Sequence, residues 1–534
     1  MLLAGLASSM FAFLYGPPHR LEQFDLPKEL SLGLLGVGCS LYLLSPRRSR
    51  PHEKLNLLLV GSLAWGAVFA PVIAPNTVAS WRTLGAAAAA VSVFFVAREL
   101  GQYRHAQAWY WALLILLGIM AGLVLLEAYG GLPFFSAPGR RPGATLGNRN
   151  LAARLTCFGL LLAWDRLIES HRRRVHAGMT VVTVVTALFV CLLALSRSRS
   201  AIAVSLGLFV LLPAVTWWLS RGTPCHVRAP ALFAWALAFA VGSSAALTLP
   251  NRMGWTASEL RASVRRIGEY QSGTGRGRVI QASTSLEMVR AHPLVGVGVG
   301  NWSVVYPAYA EAGDPSVVPG AYYPGPQIPR NDILALLAEW GLIGSVPVLW
   351  GFVSLAQEGF RRRLTPDPRV RRGGALLVGC VFTTVLLGVF DSVLRVAPTV
   401  LICATLLGLV FGEAASHEGP APLSPQQKRP WIWQVFWGAS LGLSLLLTLS
   451  VAQEIRALRI IGSLSSLRDL ERAVAVAPNN MEARALTAYL LVSAGRCDLA
   501  APHLKRAAQL QPFSEFVIAL EIECGYRRQS PSRH

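Results

Sequence analysis

Apolar stretches close to 20 residues long recur from one end of this 534-residue chain to the other, and that repetition limits the possible folds more than any other feature. Leu113 to Leu126, Met179 to Leu195 and Ala231 to Leu249 are examples. A helix needs about 20 apolar residues to cross the ~30 Å hydrocarbon core of a bilayer. Residues of the AVILMFWYC set make up 53% of the chain and DEKR only 14%, against a usual charged share of about 25%. As one soluble globule the chain would leave far too much apolar area in water. It reads as an all-α, polytopic transmembrane helix bundle.

About thirteen spans are expected, near residues 1–16, 28–45, 55–74, 78–97, 107–127, 148–168, 177–196, 200–219, 229–249, 331–354, 374–393, 396–414 and 431–451. The first lacks the basic flank and small-residue cleavage site of a removable signal, so it reads as an uncut anchor. The net charge is +21, from 49 Lys and Arg against 28 Asp and Glu. In a soluble protein that surplus raises the question of nucleic acid; here it first fixes topology, because short loops rich in Lys and Arg stay cytoplasmic. Such loops carry Arg47, Arg48, Arg50 and Lys54; Arg98 and Arg104; Arg172 to Arg174; Arg221 and Arg228; Arg361 to Arg363 with Arg369, Arg371 and Arg372; and Lys428 with Arg429. Alternation then puts 129–147, 196–200, 250–330 and the tail after 451 on the outer side. Two domains are expected: 1–451 in the membrane, including the outer loop at 250–330, and 452–534 outside it.

The tail has its own period. Leu470 to Pro478 and Leu504 to Pro512 align with their prolines 34 residues apart, the spacing of tetratricopeptide-like helix pairs. Ala485, Ala488, Tyr489, Leu490, Gly495 and Ala500 supply the small and large apolar positions such pairs need. Fewer than three repeats do not make a free solenoid, so the tail is expected to lean on the membrane domain or on a partner. Five of the eight cysteines, Cys39, Cys157, Cys191, Cys380 and Cys403, fall in apolar helices, and Cys225 sits beside a cytoplasmic loop. Cys497 and Cys524 face an oxidising compartment if the tail is outside, where pairing is open to them.

Polar groups at the rim of membrane helices carry the chemical information, because burying them is costly. On the outer side they gather in Gly147-Asn148-Arg149-Asn150, Ser196-Arg197-Ser198-Arg199-Ser200, Arg276-Gly277-Arg278 and Arg330-Asn331-Asp332. Arginine binds phosphate oxygens in bidentate fashion and stays charged, so several on one rim suit a bound diphosphate; snorkelling to lipid head groups is the competing reading. No Asp-x-Asp pair marks an outer loop, and His19 and His292 are isolated, so a divalent-metal site has no support. Gly296, Gly298 and Gly300 lack the preceding strand of a nucleotide loop and read as flexible backbone packing. Trp302, Tyr306, Tyr309, Tyr322 and Tyr323 suit either sugar stacking or the membrane interface.

The run Arg278 to Ala282, then Leu286 to Trp302 with its Ala291-His292-Pro293-Leu294-Val295-Gly296-Val297-Gly298-Val299-Gly300-Asn301-Trp302 core, then Asn331-Asp332-Ile333-Leu334 and Glu339-Trp340-Gly341-Leu342, resembles the signature region of the O-antigen ligase and polymerase superfamily. Gly147-Asn148-Arg149-Asn150 resembles that family's Gly-x-Asn segment, and Ser198-Arg199-Ser200-Ala201 its Ser-Arg-small motif. The likeness covers roughly residues 20–415 and is strongest over 278–344. It implies a bacterial inner-membrane glycosyltransferase that moves a glycan from undecaprenyl diphosphate to a glycan or lipid A core acceptor at the periplasmic face, with no metal, no cofactor and no nucleic acid.

The resemblance also implies roles. Arg199 and Arg278 match the arginines that hold the lipid diphosphate. Arg330 stands where the family usually has histidine, and Ala282 where it has an aromatic residue. Arginine does not accept a proton at neutral pH, so Arg330 reads most simply as a third diphosphate ligand. Asn148, Asn150, Arg197, Arg276, Asn331, Asp332 and Glu339 complete the expected substrate-binding set. Asp332, Glu339 and Asp391 are the candidate bases; against those roles stand a structural hydrogen-bonding role for Glu339 and an Asp391–Arg395 pair four residues apart. His292 reads as a local turn contact.

Polymerase, ligase and protein O-oligosaccharyltransferase stay open, as do two readings of another class: a lipid-linked glycan flippase and a non-catalytic assembly factor. The repeat tail suits a polysaccharide clamp or a dock for a chain-length or assembly protein.

Overall fold

A computed structural model describes residues 1–14, 22–45, 53–103, 106–219, 229–271, 273–415, 431–462 and 466–527. Among these residues there are helices and no strands. In chain order they are α1 (Leu2–Phe11), α2 (Glu22–Leu44), α3 (Glu53–Ile73), α4 (Thr77–Gly101), α5 (Ala106–Tyr129), α6 (Arg149–Arg172), α7 (His176–Ser196), α8 (Arg199–Leu219), α9 (Ala229–Thr248), α10 (Ala257–Arg265), α11 (Gly273–Ala291), α12 (Trp302–Tyr309), α13 (Asp332–Arg361), α14 (Pro368–Phe390), α15 (Ala397–Ala415) and α16 (Trp431–Ile461). The tail adds α17 (Leu467–Val476), α18 (Met481–Ser493), α19 (Cys497–Leu510) and α20 (Glu515–Glu523).

Each of the thirteen expected spans has its helix, and the expected outer loop at 250–330 holds α10 to α12. Among the described residues, eight helices are long and apolar enough to cross a membrane. The first expected span is not among them. α1 has 10 residues, about 15 Å of helix and half a bilayer core; its chain turns extended at Ala12, and Leu14 N–H donates to Gln23 O at 2.8 Å.

α2 and α6 depart from the pattern for another reason: they bury charge inside the bundle. The Lys28 ammonium has three donors and three carbonyls to receive them, Phe24 O at 2.6 Å, Thr145 O at 2.9 Å and Ala12 O at 3.0 Å. On α6, Arg154, Asp165, Arg166 and Glu169 are all buried.

The far ends of α5, α6, α14 and α15 meet in an ion-paired layer. Arg372 pairs with Asp165 at 2.9 Å and with Glu169, Arg166 donates to Gln107 at 2.6 Å, and Tyr110 OH donates to Glu413 at 2.9 Å. Here the expected basic loops around Arg172 and Arg361 to Arg372 share one end of the bundle. Arg47, Arg48, Arg50, Arg104, Arg221, Arg228, Lys428, Arg429, Cys225 and His19 lie outside the described residues.

At the other end the segment after α11 wedges into α13. That helix is two stretches joined through Gly341, at φ +59° and ψ −175°. The kink frees backbone groups, and the 293–298 chain takes them: Leu342 N–H donates to Pro293 O, Ile343 N–H to Leu294 O, Val297 N–H to Ala338 O and Gly298 N–H to Glu339 O. Gly296 packs so closely that a Cβ there would stand 2.4 Å from Glu339 O. The glycine run therefore serves close approach rather than flexibility.

α16 continues past residue 451 to Ile461, and α17 packs Leu470 and Ala473 against its Ala457 and Ile461. Pro478 and Pro512 each follow a helix end by two residues, after α17 and α19. The tail rests on the membrane domain: Tyr322 OH donates to Glu482, Ser514 Oγ to Ala321 O, and Asn76 Nδ2 to Leu510 O. Cys497 and Cys524 form a disulfide.

Candidate functional site

Four helix ends deliver the site. α7 stops at Ser196, the chain turns through Arg197 at φ +53°, and Arg199 opens α8. Arg278 lies in the second turn of α11. Arg330 directly precedes Asn331, whose Oδ1 caps α13 by accepting Leu334 N–H at 2.9 Å. α14 ends at Phe390, which releases Asp391 to Val396 as irregular chain before α15.

Asp391 is the centre. It is fully buried. Its Oδ1 accepts from Arg330 Nη1 at 3.2 Å and from Ser392 N–H at 3.0 Å, while Oδ2 lies 3.9 Å from Arg154 Nε and has no hydrogen-bond partner. Burial by itself raises a carboxyl pKa; Arg154, Arg330 and Arg278 outweigh it and hold Asp391 below the usual carboxylate range. Burial pushes the Arg278 guanidinium down; Asp391 opposes that shift, while the like charges of Arg330 and Arg199 add to it. Arg154, Arg199, Arg278 and Arg330 thus gather around Asp391, with Asp25 also in the field of Arg154, so positive charge is in surplus and an anion is what the surplus attracts. Arg199 spends one N–H on Glu269 O at 3.2 Å.

Asp332 and Glu339 hold the frame. Buried Asp332 accepts Ser392 Oγ at 2.9 Å, Val393 N–H at 2.6 Å and Leu394 N–H at 2.9 Å, which fixes the turn that carries Asp391. Fully buried Glu339 accepts Gly300 N–H at 2.9 Å and Trp302 N–H at 3.0 Å, and Arg395 grips both its oxygens at 2.9 and 2.6 Å. The expected Asp391–Arg395 pair does not form. An i,i+4 pair requires a helix, and the chain leaves helical geometry at Asp391 (φ −158°, ψ −163°), so the two side chains find separate partners.

The other expected residues spread out. Asn148 caps α6, accepting Asn150 N–H at 2.9 Å, and Asn150 O accepts Arg154 Nε at 3.3 Å. Arg276 is exposed on α11. Arg197 turns away from Arg199: its Nε donates to Ser263 Oγ at 3.1 Å and its guanidinium stands over Trp255. Trp302 and Tyr306 are buried, bonded to Ser285 and Asp314, and so are core rather than sugar platforms. Tyr322 and Tyr323 pack against the tail. His292 meets Tyr309 OH at 3.0 Å.

Arg154 was missed in the sequence. An arginine within an apolar helix four residues after Asn150 is itself a signal, and its guanidinium reaches Ser392 O and Asp391 from α6.

Residues 182–349 match the family model described as O-antigen ligase, and no curated protein matches the chain. The matched stretch holds Arg199, Arg278, Arg330 and Glu339. The Gly147–Asn150 segment, Asp391 and Arg395 lie outside it.

Proposed function

With an O-antigen ligase domain at residues 182–349, which supports membrane glycan transfer in polysaccharide biosynthesis, we propose that the chain transfers a glycan from undecaprenyl diphosphate to an acceptor at the outer face of the bacterial inner membrane. The observation that carries this reading is the gathering of Arg199, Arg278 and Arg330 with Arg154 near the carboxylate of Asp391.

An acceptor hydroxyl attacks the anomeric carbon, the bond from that carbon to the diphosphate oxygen breaks, and the diphosphate leaves with the electron pair. Guanidiniums fixed in place before reaction stabilise the charge that develops on it. The hydroxyl proton passes to the leaving diphosphate or to water, because Asp332 and Glu339 already spend their oxygens on the frame. Asp391 acts as a counter-ion that positions Arg330 and Arg278. Asn331 and Asp332 shape the turn beside them, and Arg276 adds charge at the entrance. The Cys497–Cys524 bond supports a periplasmic tail, since disulfides persist in oxidising compartments; as tetratricopeptide-like helix pairs, the tail would offer a dock for a chain-length or assembly protein.

The test is transfer by the purified chain from a defined undecaprenyl-diphosphate oligosaccharide. Carrier-bound ladders identify a polymerase, product on lipid A core a ligase, and product on a polypeptide a protein O-oligosaccharyltransferase. Arg199→Ala and Arg278→Ala should each abolish product. Full product from both variants, or movement of the lipid across vesicles with no transfer, overturns the reading.

A further inference from the structure

A second group of arginines stands at the same end of the bundle and takes no part in the cluster around Asp391. The guanidiniums of Arg149 and Arg197 lie 5.1 and 5.0 Å from the centre of the Trp255 ring. Those of Arg141 and Arg252 lie 4.0 and 4.5 Å from the centre of the Phe134 ring. Arg149 Nη1 donates to Arg141 O at 3.0 Å, which ties the two groups into one patch.

Each arginine spends one N–H on a neutral oxygen: Arg149 as above, Arg197 on Ser263 Oγ, Arg141 Nε on Ser136 O at 2.8 Å, and Arg252 Nη1 on Leu132 O at 2.8 Å. A guanidinium has five N–H donors, so most remain unspent. Among the described residues none of the four pairs with a carboxylate. Four like charges held together without a counter-ion repel one another, and aromatic faces offset only part of that. The arrangement is complete only with an anion.

The position says which anion. All six residues lie at or between membrane-helix ends: Phe134 and Arg141 between α5 and α6, Arg149 at the first residue of α6, Arg197 at the α7–α8 turn, and Arg252 and Trp255 just after α9. The ends of membrane helices fall at the depth of lipid head groups, where indole rings also settle, and Leu249 beside them is half exposed. Planar guanidiniums whose aromatic platforms fix their orientation suit phosphate oxygens in bidentate geometry. We infer that Arg149 and Arg197 on Trp255, with Arg141 and Arg252 on Phe134, form a binding site for the phosphate group of a membrane lipid, separate from the site at Arg199, Arg278 and Arg330. It does not depend on which transfer reaction the chain performs.

Native mass spectrometry of the full-length protein in detergent tests this, with phosphatidylglycerol, a diacylglycerol of the same acyl chains, and inorganic phosphate as separate probes. Phosphatidylglycerol should bind saturably, and Arg149→Gln/Arg197→Gln should weaken it by at least ~10-fold, while Arg199→Gln/Arg278→Gln leaves it within about twofold. Trp255→Leu, which keeps every charge and removes only a platform, should weaken it by a smaller factor and guards against misfolding of the double variant. Equal binding of diacylglycerol shows that the acyl chains alone are recognised and overturns the inference. So does binding of inorganic phosphate as tight as that of the lipid, or phosphatidylglycerol binding unchanged in both the double variant and Trp255→Leu.

Discussion

Arg395 closes both oxygens of Glu339 in a bidentate grip across 56 residues of sequence, at 2.9 and 2.6 Å, and Glu339 is fully buried. The same carboxylate accepts the backbone N–H groups of Gly300 and Trp302, so one side chain joins the kinked helix, the wedge that fills its kink and the turn before α15. Removing one partner of a buried pair leaves an uncompensated charge and costs about 3–5 kcal/mol. Arg395→Ala should therefore lower the thermal unfolding midpoint markedly. Arg395→Ala/Glu339→Gln should lose less than the sum of the two single variants. Additive losses in a double-mutant cycle would show that the pair is not coupled.

The Asp391 pairing carries a pH dependence whose sign is fixed. Its native pKa is depressed, so the native state holds fewer protons than the unfolded state near the ordinary carboxylate value of about 4. The stabilisation is complete above that value and falls away as pH drops through the native pKa. Unfolding midpoints measured from pH 3 to pH 8 should show an acid-side loss that Asp391→Asn reduces, with no change in slope between pH 6 and pH 8.

Gly296 and Gly313 both adopt positive φ, +72° and +82°, but only Gly296 has backbone where a Cβ would go. Gly313→Ala should cost about 1–2 kcal/mol, the left-handed penalty alone. Gly296→Ala adds a clash with Glu339 O, and should cost at least ~1 kcal/mol more and reduce transfer, because the wedge it displaces carries Gly300 and Trp302. Equal midpoints for the two variants would contradict the close packing.

The tail is closed by a disulfide spanning 27 residues. Cys497→Ala should cost the tail about 2–4 kcal/mol and increase proteolysis within α19 and α20. The membrane bundle should keep its own midpoint, since the tail meets it through contacts at Tyr322, Ala321 and Asn76 rather than through the bond.

The order of the apolar helices was legible in the sequence, because length and hydrophobicity of a run are local properties that a bilayer reads directly; their number as spans was not, since thirteen were expected and eight of the described helices are long and apolar enough to cross. The family-like motifs around Arg199, Arg278 and Glu339 were legible too, as short contiguous strings. What the sequence left open depended on where helices end and on contacts between distant segments. α1 stops after 10 residues. Asp391 and Arg395 sit four apart but off any helix, so each turns to a partner about 60 residues upstream, Arg330 and Glu339. Arg197 and Arg199, two residues apart, part company because the chain turns at Arg197. Arg154, unremarked in its apolar helix, joins the site because α6 packs beside the turn before α15. Hydrophobic run length located the apolar helices; only the tertiary structure could sort the rim arginines, because an arginine's partner is set by which helix ends converge, and no local pattern encodes that.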